Sequence, residues 1–173
     1  LIASNDNLNV ARREADIAIR LARPASGDFL IRKLAGVGFA LYGAARGDLA
    51  VSAGDWVAYN EDLDHTPEMR RLHAMLGEGR IRLRSNSLRG LVRAVAGGIG
   101  HGLLPCFVAD ADPGLVRLSG AEPILYRELW MLIHPDARPL ARVAATADWL
   151  VERFDEAAAG FAGRAPSPRN APP

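Results

Sequence analysis

The sequence predicts an α/β fold on three observations. Strand-like and helix-like periodicities alternate along the chain. Two long extended stretches, Phe29 to Tyr42 and Leu129 to His134, bracket a middle segment with strands and helices of its own. Between them, the run from Leu83 to Pro105 joins a strand, a polar cap, a short helix and a glycine-rich stop. A chain that leaves one lobe, builds a second and returns has this pattern, which divides it into residues 1–35 with 130–160, residues 36–129, and a disordered tail, 161–173.

In order, Leu1-Ile-Ala reads as the end of a strand, and Ser4-Asn-Asp-Asn supplies caps for a helix to about Arg13. Asp16-Ile-Ala-Ile-Arg-Leu21 is a β-branched strand, so the first three elements form a parallel crossover. Pairing is expected to be mostly parallel throughout. Phe29 to Tyr42 is extended and interrupted at Gly36 and Gly38, and Trp56-Val-Ala-Tyr59 is a further strand. Thr66-Pro-Glu opens a helix to about Leu76, with a cap, a proline at the first helical position and an acid near the positive end. Arg80 to Leu83, Gly114 to Leu118 and Leu129 to Ile133 are strands. From about Pro139 to Ala159, Leu140, Val143, Ala144, Ala147, Leu150, Val151 and Phe154 mark one stripe of a helix. Pro, Gly and Ala dominate from Gly160 on, the composition of a frayed end.

The central run is the most informative. Leu88, Leu91, Val92 and Val95 follow i, i+3, i+4, i+7 spacing, with Arg89 and Arg93 on the opposite face. Ser85, Asn86 and Ser87 stand where a side-chain oxygen meets first-turn N–H groups that have no partner within the helix. Gly97 and Gly98 end the helix by allowing a left-handed residue, and Ile99 to Leu104 returns as a short buried strand. An isolated Ser-Asn-Ser is first of all a helix cap. Unpaired N–H groups beside apolar walls turn the reading toward a cap that faces a small ligand.

Composition narrows the function classes. A chain of 173 residues can bury roughly 70% of its unfolded surface. Apolar content is 49% and mean hydropathy +0.01, the values of an ordinary soluble protein. The net charge of +1 lacks the field that drives nucleic-acid binding. Lys33 is the single lysine beside 20 arginines, a bias of base composition more than of chemistry. One cysteine, Cys106, cannot form an internal disulfide, no apolar run is long enough for a membrane span, and no export signal is visible. These point to a reducing, cytoplasmic compartment. The chain starts at Leu1 without an initiator methionine, as expected of a fragment or a processed front.

Other chemistries fit poorly. Gly98-Ile-Gly-His-Gly102 follows a helix, whereas a dinucleotide loop lies between a strand and a helix. His65 and His73 do not have the i, i+4 spacing of a zinc pair and read as surface residues. No G-x-S-x-G elbow is present for a hydrolase. Cys106 reads as a small buried hydrophobe. Arg12-Arg13 and Arg70-Arg71, with Glu14, Asp64 and Glu68 nearby, read as a mixed-charge surface. No catalytic residue, metal or cofactor is expected.

Arg13 to Leu21, Asn86-Ser87 through the G-I-G-H-G-L-L-P ending at Pro105, Pro113 to Leu118 and Leu129 to Pro135 together resemble the effector-binding domain of LysR-type transcriptional regulators, in the family's order and over residues 1 to about 160. The resemblance implies a type II periplasmic-binding-protein-like fold, two lobes joined by crossing strands, with a small effector between them. It implies that the domain's first strand and helix are absent, leaving the first lobe partial. DNA would be bound only through a winged helix-turn-helix that this chain lacks, and the domains would pair as homo-oligomers, dimers or tetramers. Carried over, the cleft is lined by Ser4 and Asn5, by Ser85, Asn86 and Ser87, and by Gly100, His101 and Leu103. His101 stands where the family has a small or apolar residue; it either titrates in the cleft or sits in an exposed turn. Facing helix N-termini favour an anionic metabolite, each worth about 0.3–1 kcal/mol. The alternative is a stand-alone solute-binding protein of a transport system.

Overall fold

The computed structural model describes residues 15–24, 27–45 and 54–163. The strand and helix expected over residues 1–13 lie outside them. The first described strand, β1 (Ile17–Arg20), matches the β-branched Ile-Ala-Ile-Arg segment. It is followed by β2 (Leu30–Ala44), a continuous strand of 15 residues that absorbs Gly36 and Gly38 without the expected interruption. Burial begins at Leu34 and continues through Phe39, Ala40 and Tyr42.

After β2 come β3 (Asp55–Tyr59), a single 3-10 turn at Glu61–Leu63, α1 (Pro67–Leu76), β4 (Arg80–Ser85), α2 (Leu88–Ala96) and β5 (His101–Pro105). The remaining elements are α3 (Cys106–Ala109), β6 (Leu115–Arg117), β7 (Leu125–Ile133), a 3-10 turn at Pro135–Ala137, α4 (Ala141–Glu156) and α5 (Ala158–Phe161). Among the described residues, seven strands are hydrogen-bonded in the order β1-β7-β2-β5-β3-β4, with β6 also on β2.

The pairing corrects the expectation of a mostly parallel sheet. Strands joined through a helix are parallel: β3 with β4, and β3 with β5. By contrast, β1 with β7, β2 with β5 and β2 with β6 are antiparallel. A parallel pair needs a crossover long enough to return the chain to the same end, and helices supply it only in the middle segment.

Two compact units result. The first combines the described residues up to Gly36 with Arg127–Ala158, and the second combines Val37–Tyr126 with the residues from Ala159 on. In the first, Leu34, Met131, Ile133, Val143 and Ala147 form the core, with Leu150, Val151 and Phe154 of the predicted α4 stripe packed against it. In the second, Ala40, Tyr42, Val57, Leu104 and Cys106 pack with Leu91, Val92, Ala94 and Val95 of α2, so the i, i+3, i+4 face of α2 is its buried face. Complete burial of a side chain such as Leu91 contributes about 1.5–3 kcal/mol. Alternation puts Trp56 and Ala58 on the other side of β3, and α1, with Met69 and Leu72 buried, covers that side.

Helix termini follow the sequence signals with one difference. Gly98, at φ +76°, takes the left-handed conformation that ends α2. Thr66 occupies the cap position of α1 ahead of Pro67, yet its hydroxyl makes no cap bond and is buried without a partner. Residues 158–163 are also ordered differently from the expected tail: α5 forms and Phe161 packs on Phe107 with ring centres 4.6 Å apart.

Candidate functional site

The second unit presents its most suggestive chemistry where β4 ends and α2 begins. Ser85 closes β4 opposite Tyr59 of β3. Its hydroxyl accepts from the Ser87 amide at 3.1 Å, and the Ser87 hydroxyl accepts from the Gly90 amide at 3.3 Å. Ser87 is thus the N-cap among the three candidates. Asn86 lies exposed between the two serines. No acid stands in the first turn of α2, so no carboxylate of its own offsets the positive end of the helix.

A buttress stands behind this turn. Arg84, half-buried, donates through Nη1 to the Tyr59 carbonyl at 2.8 Å and to Asp64 Oδ1 at 3.0 Å, while Nη2 reaches Asp64 Oδ2 at 3.5 Å. His73 Nε2 lies 3.2 Å from Asp64 Oδ1. The Arg84 guanidinium, helped by His73, holds the Asp64 carboxyl below its usual range. One arginine therefore links the end of β3, the turn after it and the last residues of β4. Sequence reading placed Asp64 among solvated surface charges and did not single out Arg84; the only available signal was its position directly before the Ser-Asn-Ser cap.

The other expected site residues are not gathered here. Ser4 and Asn5 lie outside the described residues. Gly100 and His101 lie at the opposite end of the parallel strands: His101 pairs with Trp56 and Gly102 with Val57, near the start of β3, whereas Ser85 pairs with Tyr59 at its end. Three strand residues correspond to about 10 Å. Gly100 is buried, and a Cβ atom there would stand 2.7 Å from the Asp55 carbonyl oxygen, so this close approach requires glycine. His101 is not in an exposed turn. It starts β5, stands edge-on to Trp56 with ring centres 6.1 Å apart, and has a buried Nδ1 without a hydrogen-bond partner. Leu103 is a core residue paired with Leu41.

A second polar cluster was not legible beforehand. Tyr42 donates to Asp110 Oδ1 at 2.6 Å, Arg117 Nε lies 3.2 Å from both the Tyr42 hydroxyl and Asp110 Oδ1, and Arg117 Nη2 is ion-paired with Asp110 Oδ2. Burial, then the bond to Asp110, pushes the Tyr42 phenol far above its normal range. Burial also raises the Cys106 thiol, which packs as a small side chain in the second unit's core. His65 and His73 are exposed, and no group able to hold a metal occurs among the described residues. In the first unit, a depression of about 110 Å³ is lined by Asp16, His134, Asp136 and Leu140, smaller than the several hundred Å³ of typical ligand pockets.

Residues 3–155 match the family model described as the LysR substrate binding domain. The chain belongs to this family. The mau operon transcriptional activator of Paracoccus denitrificans is 36% identical to this LysR-family chain over 167 residues. That alignment covers 94% of the chain and 56% of the activator, so the chain spans little more than half the length of its curated relative. Among solved structures, the regulatory domain of CrgA from Neisseria meningitidis aligns with a TM-score of 0.69 at 17% identity, over 87% of this chain and 81% of that one. The CcmR regulatory domain of Synechocystis PCC6803 in complex with 2-PG gives 0.63 at 15%, over 83% and 76%. The effector-binding domain of QuiR in complex with shikimate gives 0.62 at 16%, over 84% and 75%. The fold is accordingly that of LysR regulatory domains, periplasmic-binding-protein-like and mixed α/β. No helix among the described residues is long and apolar enough to cross a membrane.

Proposed function

We propose that this LysR effector domain binds a small anionic metabolite at the junction of β4 and α2, through Ser85, Asn86, Ser87 and the first-turn amides of α2. The carrying observation is a helix start with no acid of its own, capped by Ser87 and held at the carboxyl end of β3 and β4 by Arg84. Ligands of open α/β sheets collect at the carboxyl ends of their strands, where helix N-termini offer N–H donors and positive potential. Gly100 and His101 lie at the opposite end of the parallel strands and Leu103 is buried in the core, so none of the three is included. Binding, not turnover, is the output: the domain is non-enzymatic, works in the cytoplasm, and reports effector occupancy to a DNA-binding module in a homo-oligomeric regulator. The 36% identity to a transcriptional activator supports this over a transport role, and the shikimate and 2-PG held by QuiR and CcmR support a small polar effector.

Calorimetry of the full-length protein against a panel of small carboxylates and phosphates tests the reading. The expected result is one ligand whose affinity falls at least about tenfold in Asn86→Ala and Ser87→Asp, the equivalent of about 1.4 kcal/mol. Undiminished affinity in both variants overturns it.

A further inference from the structure

The outer face of α4 has a large aromatic side chain at its centre. Val143, Ala147, Leu150, Val151 and Phe154 pack into the first unit's core, and Trp149, near the midpoint of Ala141–Glu156, stands on the opposite side. At 57% exposure it is the most exposed large apolar side chain among the described residues. Steps of three, four and seven residues from Trp149 reach Arg142, Ala145, Thr146, Glu152, Arg153 and Glu156, which share its face. The charges along this face run against the helix dipole. The first turn holds Arg142 and no acid, whereas the other end holds Glu152, Asp155 and Glu156 with Arg153 as the one base. A helix standing alone is favoured by the reverse order. The pairs these side chains make within the copy, Arg142 with Asp16 at 3.2 Å and Arg153 with Glu156 at 2.8 Å, are exposed and contribute little.

We propose that the outer face of α4 docks a second copy of this chain, helix against antiparallel helix, about a two-fold axis at Trp149. A two-fold contact requires one patch that is complementary to itself, and this face is. Turned end for end about Trp149, Arg142 of one copy meets Glu156 of the other at both ends of the contact, and Thr146 meets Glu152. Arg153 crosses at Ala145, where the small side chain leaves it room. The two indoles meet in the middle, an aromatic anchor ringed by polar groups, which is how interface centres are built. The antiparallel arrangement also sets the positive end of each helix beside the acids of the other, so the charge order that opposes the dipole in one copy favours the pair. Because α4 belongs to the first unit and the Ser85–Ser87 turn to the second, this reading does not rest on the effector site.

The test is photocrosslinking of the full-length protein carrying p-benzoylphenylalanine in place of Ala145, with the joined peptides identified by mass spectrometry. Expected is a product of two chains in which position 145 of one copy is bonded within residues 152–156 of the other. Trp149→Ser and Arg142→Glu should each lower its yield at least about tenfold, and Arg142→Glu combined with Glu156→Arg should restore it. Both exchanges suit the helix dipole, with an acid in the first turn and a base in the last, so the double variant keeps α4 folded. A crosslink within one copy, to a different protein or to another segment of the second copy overturns the proposal. So does the absence of any crosslink, a yield that the single variants leave unchanged, or one that the double exchange leaves low.

Discussion

Arg84 and Asp64 meet in a forked pair, Nη1 to Oδ1 at 3.0 Å and Nη2 to Oδ2 at 3.5 Å, with Nη1 also on the Tyr59 carbonyl. Planar donors aligned on a carboxylate fix direction as well as distance, which a lysine cannot do. Arg84→Lys should therefore keep most of the stability, with a loss of about 1 kcal/mol, yet lower affinity at the adjacent Ser85–Ser87 turn. Denaturant unfolding and calorimetry on the same variant separate the two effects.

Because Asp64 titrates below its usual value of 3.8 when folded, the unfolded chain binds its proton more readily. The resulting stability is present above the unfolded value and is lost as pH falls through the lower, folded one. Unfolding midpoints of Asp64→Asn and wild type should converge as pH drops below about 3.8. A gap that persists undiminished in acid would contradict this.

Ser87 separates capping from ligand binding. Ser87→Ala should cost about 1 kcal/mol of stability through the lost bond to the Gly90 amide. Ser87→Asp keeps a capping oxygen and should hold the melting temperature near wild type. Its carboxylate occupies the positive end of α2, so anion affinity should fall while stability does not.

Tyr42 gives the opposite pH limb. Its phenol is raised above 10.0 by burial and the Asp110 bond, so this contribution is complete below the unfolded value and is lost as pH rises beyond it. Between pH 9 and about 11, wild type should lose stability more steeply than Tyr42→Phe. Parallel curves would show that Tyr42 ionises freely in the folded protein.

Much of this was legible in the sequence where local periodicity decides the outcome. Leu88, Leu91, Val92 and Val95 marked the buried face of α2, and the Ser85–Ser87 triplet and Gly97-Gly98 bounded it, because helix caps are read by residues three or four positions away; the pattern leaves open which of the three polar residues caps, and it is Ser87. Strand direction was not legible: β2 pairs with β5 and β6, far from it along the chain, and hydrophobic pattern carries no sign of direction. The same limit bears on the expected site residues. Gly100 and His101 follow Ser87 closely in sequence, but α2 returns the chain to the opposite end of the strands. Arg117 with Asp110 and Tyr42 also escaped notice, since its members become neighbours only after β2 and β6 pair.

One strand serving two cores has an evolutionary cost. Leu34 belongs to the first unit's core, and Ala40 and Tyr42 belong to the second's, all three on β2. Inserting or deleting a single residue near Gly36 would exchange the two side-chain rows of β2 in one of the units, and because Val37 and Phe39 are as buried as Ala40 and Tyr42, the exchanged side chains would meet neighbours shaped for others. Length variation at this junction must come in pairs of residues.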